Sequence, residues 1–91
     1  MSDENLPPPV IEFPCDYPIK VIADSDPDLV SQVVTILRRY DANLSLDRIK
    51  ERPSKQGNYT SVTVFITATG EPQLKALFEE FKTHDWVRMV L

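Results

Sequence analysis

The strongest constraint on the fold is the alternation of side chains from Tyr59 to Thr69. In most of this segment, every second position is apolar and the positions between are polar or aromatic. Successive side chains of a strand point to opposite faces, so this period of two predicts a long strand with one buried face and one free face. The buried set is Val62, Val64, Ile66 and Ala68, and the free set is Tyr59, Ser61, Thr63, Phe65 and Thr67.

Two helical stripes flank this strand, and each needs one sheet face to cover it. The first begins after Asp26 and Pro27, which suit the cap and the first turn of a helix. The second begins at the segment Gly70 to Pro72. The apolar residues recur at helical spacing: Leu29, Val33, Ile36, Leu37 and Tyr40 in the first stripe, and Leu74, Leu77, Phe78 and Phe81 in the second.

Three further segments are predicted to be strands: Tyr17 to Ala23, Leu44 to Arg52 and Trp86 to Leu91. The resulting order is βαββαβ. Right-handed crossovers turn this order into an α+β, ferredoxin-like sandwich, in which a four-stranded antiparallel sheet carries both helices on one face. We expect a single domain at 13–91, preceded by a flexible, acidic and proline-rich tail at 1–12.

The sheet face away from the helices is the first indication of function. An apolar patch on a free antiparallel face is typical of an interface with a ligand or a second copy. The alternative is that aromatic residues only decorate the rim of the sheet. Alternation places Trp86, Arg88 and Val90 on this face, with Lys20 and Ile22 if Ile19 and Val21 point inward, and it places Val87, Met89 and Leu91 beneath the helices.

Composition disfavours several classes of partner. The 91 residues carry a net charge of −4, and an acidic chain is poorly suited to polyanionic nucleic acid. The single cysteine, Cys15, allows no internal disulfide. No apolar stretch reaches the roughly 20 residues that cross a bilayer, and the amino terminus lacks the pattern of a signal peptide. We therefore expect a cytoplasmic protein without membrane association, and a homodimer would add stability to so small a domain.

No combination of residues indicates catalysis, a metal or a cofactor. His84 is the only histidine and Cys15 the only cysteine, whereas a metal site or a hydrolytic triad needs several converging groups. We expect His84 to cap the end of the second helix, and Asp24, Asp26 and Asp28 to cap the start of the first. Two glycines leave no glycine-rich phosphate loop. The sequence therefore favours a protein that is not an enzyme.

A basic group flanks the turn before Asn58: Arg48, Lys50, Arg52 and Lys55. Strand alternation sends the three charges from 48 to 52 to one side. One interpretation is a charged edge strand that resists aggregation. The other is an anion site built from this strand and the backbone amides of Gly57 and Asn58.

The segment Ser54 to Ser61 (SKQGNYTS) and the terminal VRMVL resemble the YbeD-like family of small bacterial proteins of unknown function. The similarity runs from about Glu12 to Leu91. It implies a ferredoxin-like fold similar to ACT regulatory domains, a regulatory role near lipoate metabolism and no established catalytic residues. The family pattern falls on Lys55, Gly57, Asn58, Tyr59, Ser61 and Arg88, to which the free sheet face adds Phe65 as a candidate binding residue.

These observations leave two principal hypotheses. The first is a non-enzymatic regulatory module of ACT-like type that senses a small molecule or modulates an enzyme of lipoate or amino-acid metabolism. Such modules often bind effectors at the loop after the first strand, here Asp24 to Asp26. The second is a protein-interaction adaptor that uses the free sheet face without a metabolite. RNA binding is a weaker third, because Tyr59 and Phe65 match RNA-recognition domains only in part.

Overall fold

The structure is a computed structural model that describes residues 12–91, so all of the predicted tail except Glu12 lies outside the described residues. The four strands form one antiparallel sheet in the order β2-β3-β1-β4. This arrangement confirms the predicted α+β, ferredoxin-like fold. The elements are β1 (Cys15–Asp24), α1 (Leu29–Arg38), β2 (Lys50–Pro53), β3 (Tyr59–Ala68), α2 (Glu71–Lys82) and β4 (Val87–Val90).

The core lies between the two helices and one face of the central strands. Alternate residues are buried throughout β3, and from Ile19 onward in β1, as the period of two predicts. Phe81 of α2 is the largest of the fully buried side chains. The sheet contributes Ile19, Val21, Ala23, Val62, Val64, Ile66 and Ala68, and the helices contribute Leu29, Val33, Val34, Ile36, Leu37, Leu74, Leu77 and Phe81.

The first helix begins later and ends earlier than the sequence predicts. Asp26 accepts a hydrogen bond from the Asp28 amide at 2.7 Å, and the helix itself begins at Leu29. Asp26 therefore stabilises the turn before the helix, and no side chain caps the helix itself. At the other end, Tyr40 lies beyond the last helical turn and donates its phenol hydrogen to Glu80 Oε1 at 2.6 Å.

The second strand is shorter than predicted and begins at Lys50. Leu44 does not belong to it, because its side chain leaves the edge of the sheet and is buried in the core. Leu46 remains exposed in the connecting segment. The tertiary burial of Leu44 therefore outweighed the local pattern that predicted a strand from Leu44 to Arg52.

The phase predicted for β4 holds at Val87, which lies opposite Ala23 and packs against the core, but it is wrong from Met89 onward, because a register shift separates Ile22 from Ala23 in β1. Val90 lies opposite the buried Val21, so Val90 packs against the core. Met89 lies opposite Ile22 on the other face and is 51% exposed. A β-bulge inserts one extra residue, which reverses the faces of the side chains beyond it.

Two further residues near β4 also differ from the prediction. Leu91 exchanges backbone hydrogen bonds with Lys20 at 3.0 and 2.8 Å and is 57% exposed. Trp86 packs against the core, and its ring lies 5.1 Å from the ring of His84. Trp86 therefore faces the helix side of the sheet and not the free face. In the part of the chain described, neither helix is long and apolar enough to cross a membrane.

Candidate functional site

The face of the sheet opposite the helices, called the open face below, presents side chains of adjacent strands in rows. Ser61 of β3 lies between Ile22 of β1 and Arg52 of β2, and Met89 extends this row on the far side of Ile22. In the next row, Thr63 lies between Lys20 and Lys50. Paired residues on neighbouring strands share a face, so the open face combines apolar and cationic side chains.

A depression of about 240 Å³ occupies one end of the open face. Lys20 and Arg52 supply positive charge to its lining, and Ser61 supplies a hydroxyl group. Ile22 and Tyr59 supply apolar surface. The remaining lining residues are Pro53, Ser54 and Thr60.

The loop between β2 and β3 is a tight hairpin closed by hydrogen bonds between its own groups. The Ser54 amide donates to the Tyr59 carbonyl at 2.8 Å, and the Tyr59 amide donates to Ser54 Oγ at 3.2 Å. Gly57 has φ of 76°, a conformation that favours glycine, and its amide donates to the Ser54 carbonyl at 3.0 Å. The anion site predicted from the loop amides is therefore wrong for Gly57, whose amide has a partner.

A second depression, of about 250 Å³, lies on the hairpin itself. Lys55, Asn58 and Tyr59 line it together with Ser54 and Gln56. Tyr59 thus borders both depressions and is 46% exposed. The hairpin depression and the open-face depression are therefore neighbours that share Tyr59 and Ser54.

Arg88 lies across the sheet from the depression and is already paired. Its Nε and Nη2 atoms donate to the two carboxylate oxygens of Asp24, both at 2.8 Å. These hydrogen bonds lower the pKa of the Asp24 carboxyl from its ordinary value and raise the pKa of Arg88. Arg88 therefore positions the end of β1, and its charge is compensated within the chain.

Removing Arg88 is expected to return the pKa of Asp24 towards 3.8, its ordinary value. A folded-state pKa below the unfolded one means that the pair stabilises the fold above about pH 3.8 and that this contribution is lost as pH falls through the lowered value. Carboxyl-carbon NMR titration of the wild type and of Arg88→Gln measures the change. Lys75→Gln, on α2, is the control, and an Asp24 pKa equal in all three proteins would contradict the structure.

Phe65 lies towards the opposite end of the open face. The guanidinium carbon of Arg48 sits 4.2 Å above the centre of its ring, and Arg48 also pairs with Asp16. This cation–π contact covers the aromatic face. Phe65 is consequently half-buried, and it is not part of the depression.

A third cavity lies on the helix side, between α1 and the loop that follows α2. It measures about 280 Å³. The carboxylate of Glu80 lies near this cavity and accepts the phenol hydrogen bond of Tyr40. It also pairs with Arg39 at 2.8 Å, and His84 Nε2 lies 3.9 Å from it. The lining comprises Ser31, Gln32, Thr35, Ile36, Arg39, His84 and Trp86. No group of three or more metal-ligating side chains occurs within residues 12–91.

The structure thus brings together some of the predicted binding residues and separates others. Tyr59 and Ser61 share the open-face depression, and Lys55, Gly57 and Asn58 lie in the adjoining hairpin. Phe65 and Arg88 lie outside both depressions. The candidate set omitted Lys20, Ile22 and Arg52, which line the depression. Alternation placed Lys20 and Ile22 on the free face if Ile19 and Val21 point inward, but for Arg52 it indicated only a side shared with Arg48 and Lys50.

Comparison with known proteins gives close relatives along the whole chain. A UPF0250 protein of Hahella chejuensis is 40% identical over 91 residues, which are 100% of both chains. A UPF0250 protein of Paraburkholderia phytofirmans is 39% identical over 82 residues, which are 90% of this chain and 92% of the relative. Residues 8–91 match the family described as "Protein of unknown function (DUF493)".

Solved structures share the fold at low sequence identity. The solution structure of protein HP0495 from H. pylori has a TM-score of 0.70 at 21% identity and covers 100% of this chain and 94% of that one. The solution structure of the ACT domain from GTP pyrophosphokinase of Chlorobium tepidum has a TM-score of 0.61 at 12% identity, with 84% of each chain covered. The shared fold extends to an ACT domain. The predicted resemblance is confirmed: the chain belongs to the DUF493, or UPF0250, family of small bacterial proteins of unknown function.

Proposed function

We propose that this chain is a non-enzymatic regulatory module of ACT-like type, which acts in the cytoplasm by binding a small molecule or a metabolic enzyme through its open face. The observation that carries the proposal is the exposure of large apolar side chains on a face that also holds cations. Tyr59, Met89 and Leu91 are between 46% and 57% exposed there. Soluble proteins rarely leave such side chains clustered unless they bind something.

The distribution of reactive groups supports a role without catalysis. His84 lies against Trp86 and near Glu80 on the helix side of the sheet. Cys15 lies at the start of β1. Nucleophilic catalysis needs such groups within hydrogen-bond reach of one another, and these two belong to different parts of the fold.

A thermal-shift screen tests the sensing function. The probes are the amino acids and the lipoate-related carboxylic acids, each at millimolar concentration. A ligand at a hundred times its Kd stabilises the folded state by about 2.7 kcal/mol, which raises the Tm of a domain of this size by roughly 11–22 °C. We expect at least one probe to raise the Tm in a concentration-dependent way. Absence of any shift across the panel would contradict a sensor of these metabolites.

The second candidate is a protein-interaction adaptor, favoured by the position of Met89 in the edge strand β4 and of Leu91 directly after it. Their exposure continues the apolar surface of Ile22 to the rim of the sheet, where a protein partner has access. Met89→Asp is expected to abolish co-purification of a partner enzyme from native lysate. Lys75→Glu, which changes charge on the helix side, is the control. Equal recovery by both variants would remove the open face from this hypothesis, and sedimentation of the same proteins tests a homodimer.

A further inference from the structure

The open face holds three cations that lack an acidic partner among residues 12–91. They are Lys20, Lys50 and Arg52, and none of them takes part in an ion pair within 4.0 Å in that range. The other two arginines of this face, Arg48 and Arg88, are each paired with an aspartate. Positive charge is therefore concentrated in one part of the face, in a chain whose net charge is −4.

The strand register explains why these three charges converge. Lys20 and Lys50 lie on either side of Thr63, and Arg52 lies beside Ser61 in the next row. Neighbouring strands are about 4.8 Å apart and rows on one face about 7 Å apart, so the three side chains surround two hydroxyl groups. Glu51 does not neutralise them, because it lies opposite the buried Val62 on the other face.

The depression beside these charges has one cationic side and one apolar side. Arg52 and Lys20 line it together with Ser61, whose hydroxyl makes only a long contact of 3.4 Å to the Arg52 carbonyl. Ile22 and Tyr59 form the apolar part. Its volume of about 240 Å³ is below the roughly 300–1,000 Å³ of sites for drug-sized ligands, so it suits a smaller molecule.

We propose that this depression binds a small organic anion, with its carboxylate or phosphate group held by Arg52 and Lys20 and its apolar part against Ile22 and Tyr59. Guanidinium groups bind both oxyanions in a two-point geometry, and a nearby ammonium and hydroxyl complete the coordination. Lys50 adds attraction from the next row. The inference rests on the proposed sensing function and specifies the chemical class of its effector.

Amide NMR titration with hexanoate, acetate and inorganic phosphate tests the site and distinguishes the two oxyanions. We expect saturable shifts centred on Lys20, Ile22, Arg52 and Ser61. Hexanoate should bind about tenfold more tightly than acetate, because burial of one to two extra methylene groups is worth that factor. Hexanol, which has the same apolar chain without the charge, should leave these amides unchanged. Shifts centred on the helix-side cavity or the hairpin alone would overturn the assignment.

A charge-reversal pair supplies the matched control. Arg52→Glu is expected to weaken hexanoate binding at least tenfold, whereas Lys75→Glu, with the same change in net charge on the far side of the molecule, should leave it unchanged. Equal weakening by both variants would show nonspecific attraction and overturn the site. A metabolite that stabilises Arg52→Glu as much as wild type would also overturn the site while leaving the sensing function intact. Amide shifts at the depression combined with no Tm change across the thermal-shift panel would support the anion site and contradict the sensing function.

Discussion

Phe81→Ala is expected to lower the free energy of unfolding by about 3–5 kcal/mol, the range for removing a buried aromatic ring and leaving a cavity. Phe81 is fully buried and is the largest of the fully buried side chains. It belongs to α2, whose apolar stripe covers the sheet. Since domains of this kind have about 5–15 kcal/mol of stability in total, we expect a much lower urea midpoint in equilibrium denaturation.

Phe78→Ala is the control for this result. The chemical change is the same and the residue lies on the same helix, but Phe78 is only half-buried. Because the ring of Phe78 buries less apolar surface than the ring of Phe81, we expect the free energy of unfolding to fall by only about 1–2 kcal/mol. Equal losses for the two variants would contradict the position of α2 on the sheet.

Gln73→Glu is expected to destabilise the fold by about 2 kcal/mol at neutral pH, because it places a carboxylate where a carboxamide donates. Gln73 Nε2 donates to the carbonyl oxygens of Tyr40 at 2.9 Å and Thr67 at 3.2 Å. Its Oε1 accepts from the Thr69 amide at 2.8 Å. One side chain thus joins the chain after α1, the end of β3 and the start of α2, and the introduced oxygen would face two carbonyl oxygens.

The same variant has a defined pH dependence. Repulsion from the two carbonyl groups raises the pKa of the introduced carboxyl in the folded state above its unfolded value of about 4.3. A raised folded-state pKa gives stability that is present below the unfolded value and lost as pH rises. The difference from wild type should therefore be smaller at pH 4 than at pH 7. Gln56→Glu, in the exposed hairpin, should change stability by less than about 0.5 kcal/mol at either pH.

Much of the fold could be predicted because the preference for a buried or an exposed position recurs at regular spacing along each element. The alternation from Val62 to Ala68 specified which face of β3 is buried, and all four apolar residues are indeed in the core. The helical stripes were equally clear, since Leu77 and Phe81 lie one turn apart and are both fully buried. Such patterns depend only on the period of the local backbone.

The candidate site was predicted less completely, because it depends on which strands become neighbours. Tyr59 and Ser61 were predicted from the chain and lie in the open-face depression. Arg52 comes beside Ser61 only through the register of β2 on β3, and Ile22 only through the register of β1. Ile22 and Arg52 are far apart in sequence, and nothing in the local pattern around either residue indicates that both lie beside Ser61.

The sequence by itself determined the order of elements and the buried face of β3, because these follow from local periodicity. Only the tertiary structure decided that Met89 and Leu91 face outward and Trp86 faces the helix side. For Met89 and Leu91 the cause is a shift of register in the pairing of β1 with β4, which reverses the faces of the residues after Val87. Trp86 lies just before β4 and packs against the core. Tertiary pairing likewise neutralised Arg88 with Asp24 and left Lys20 and Arg52 together beside the depression.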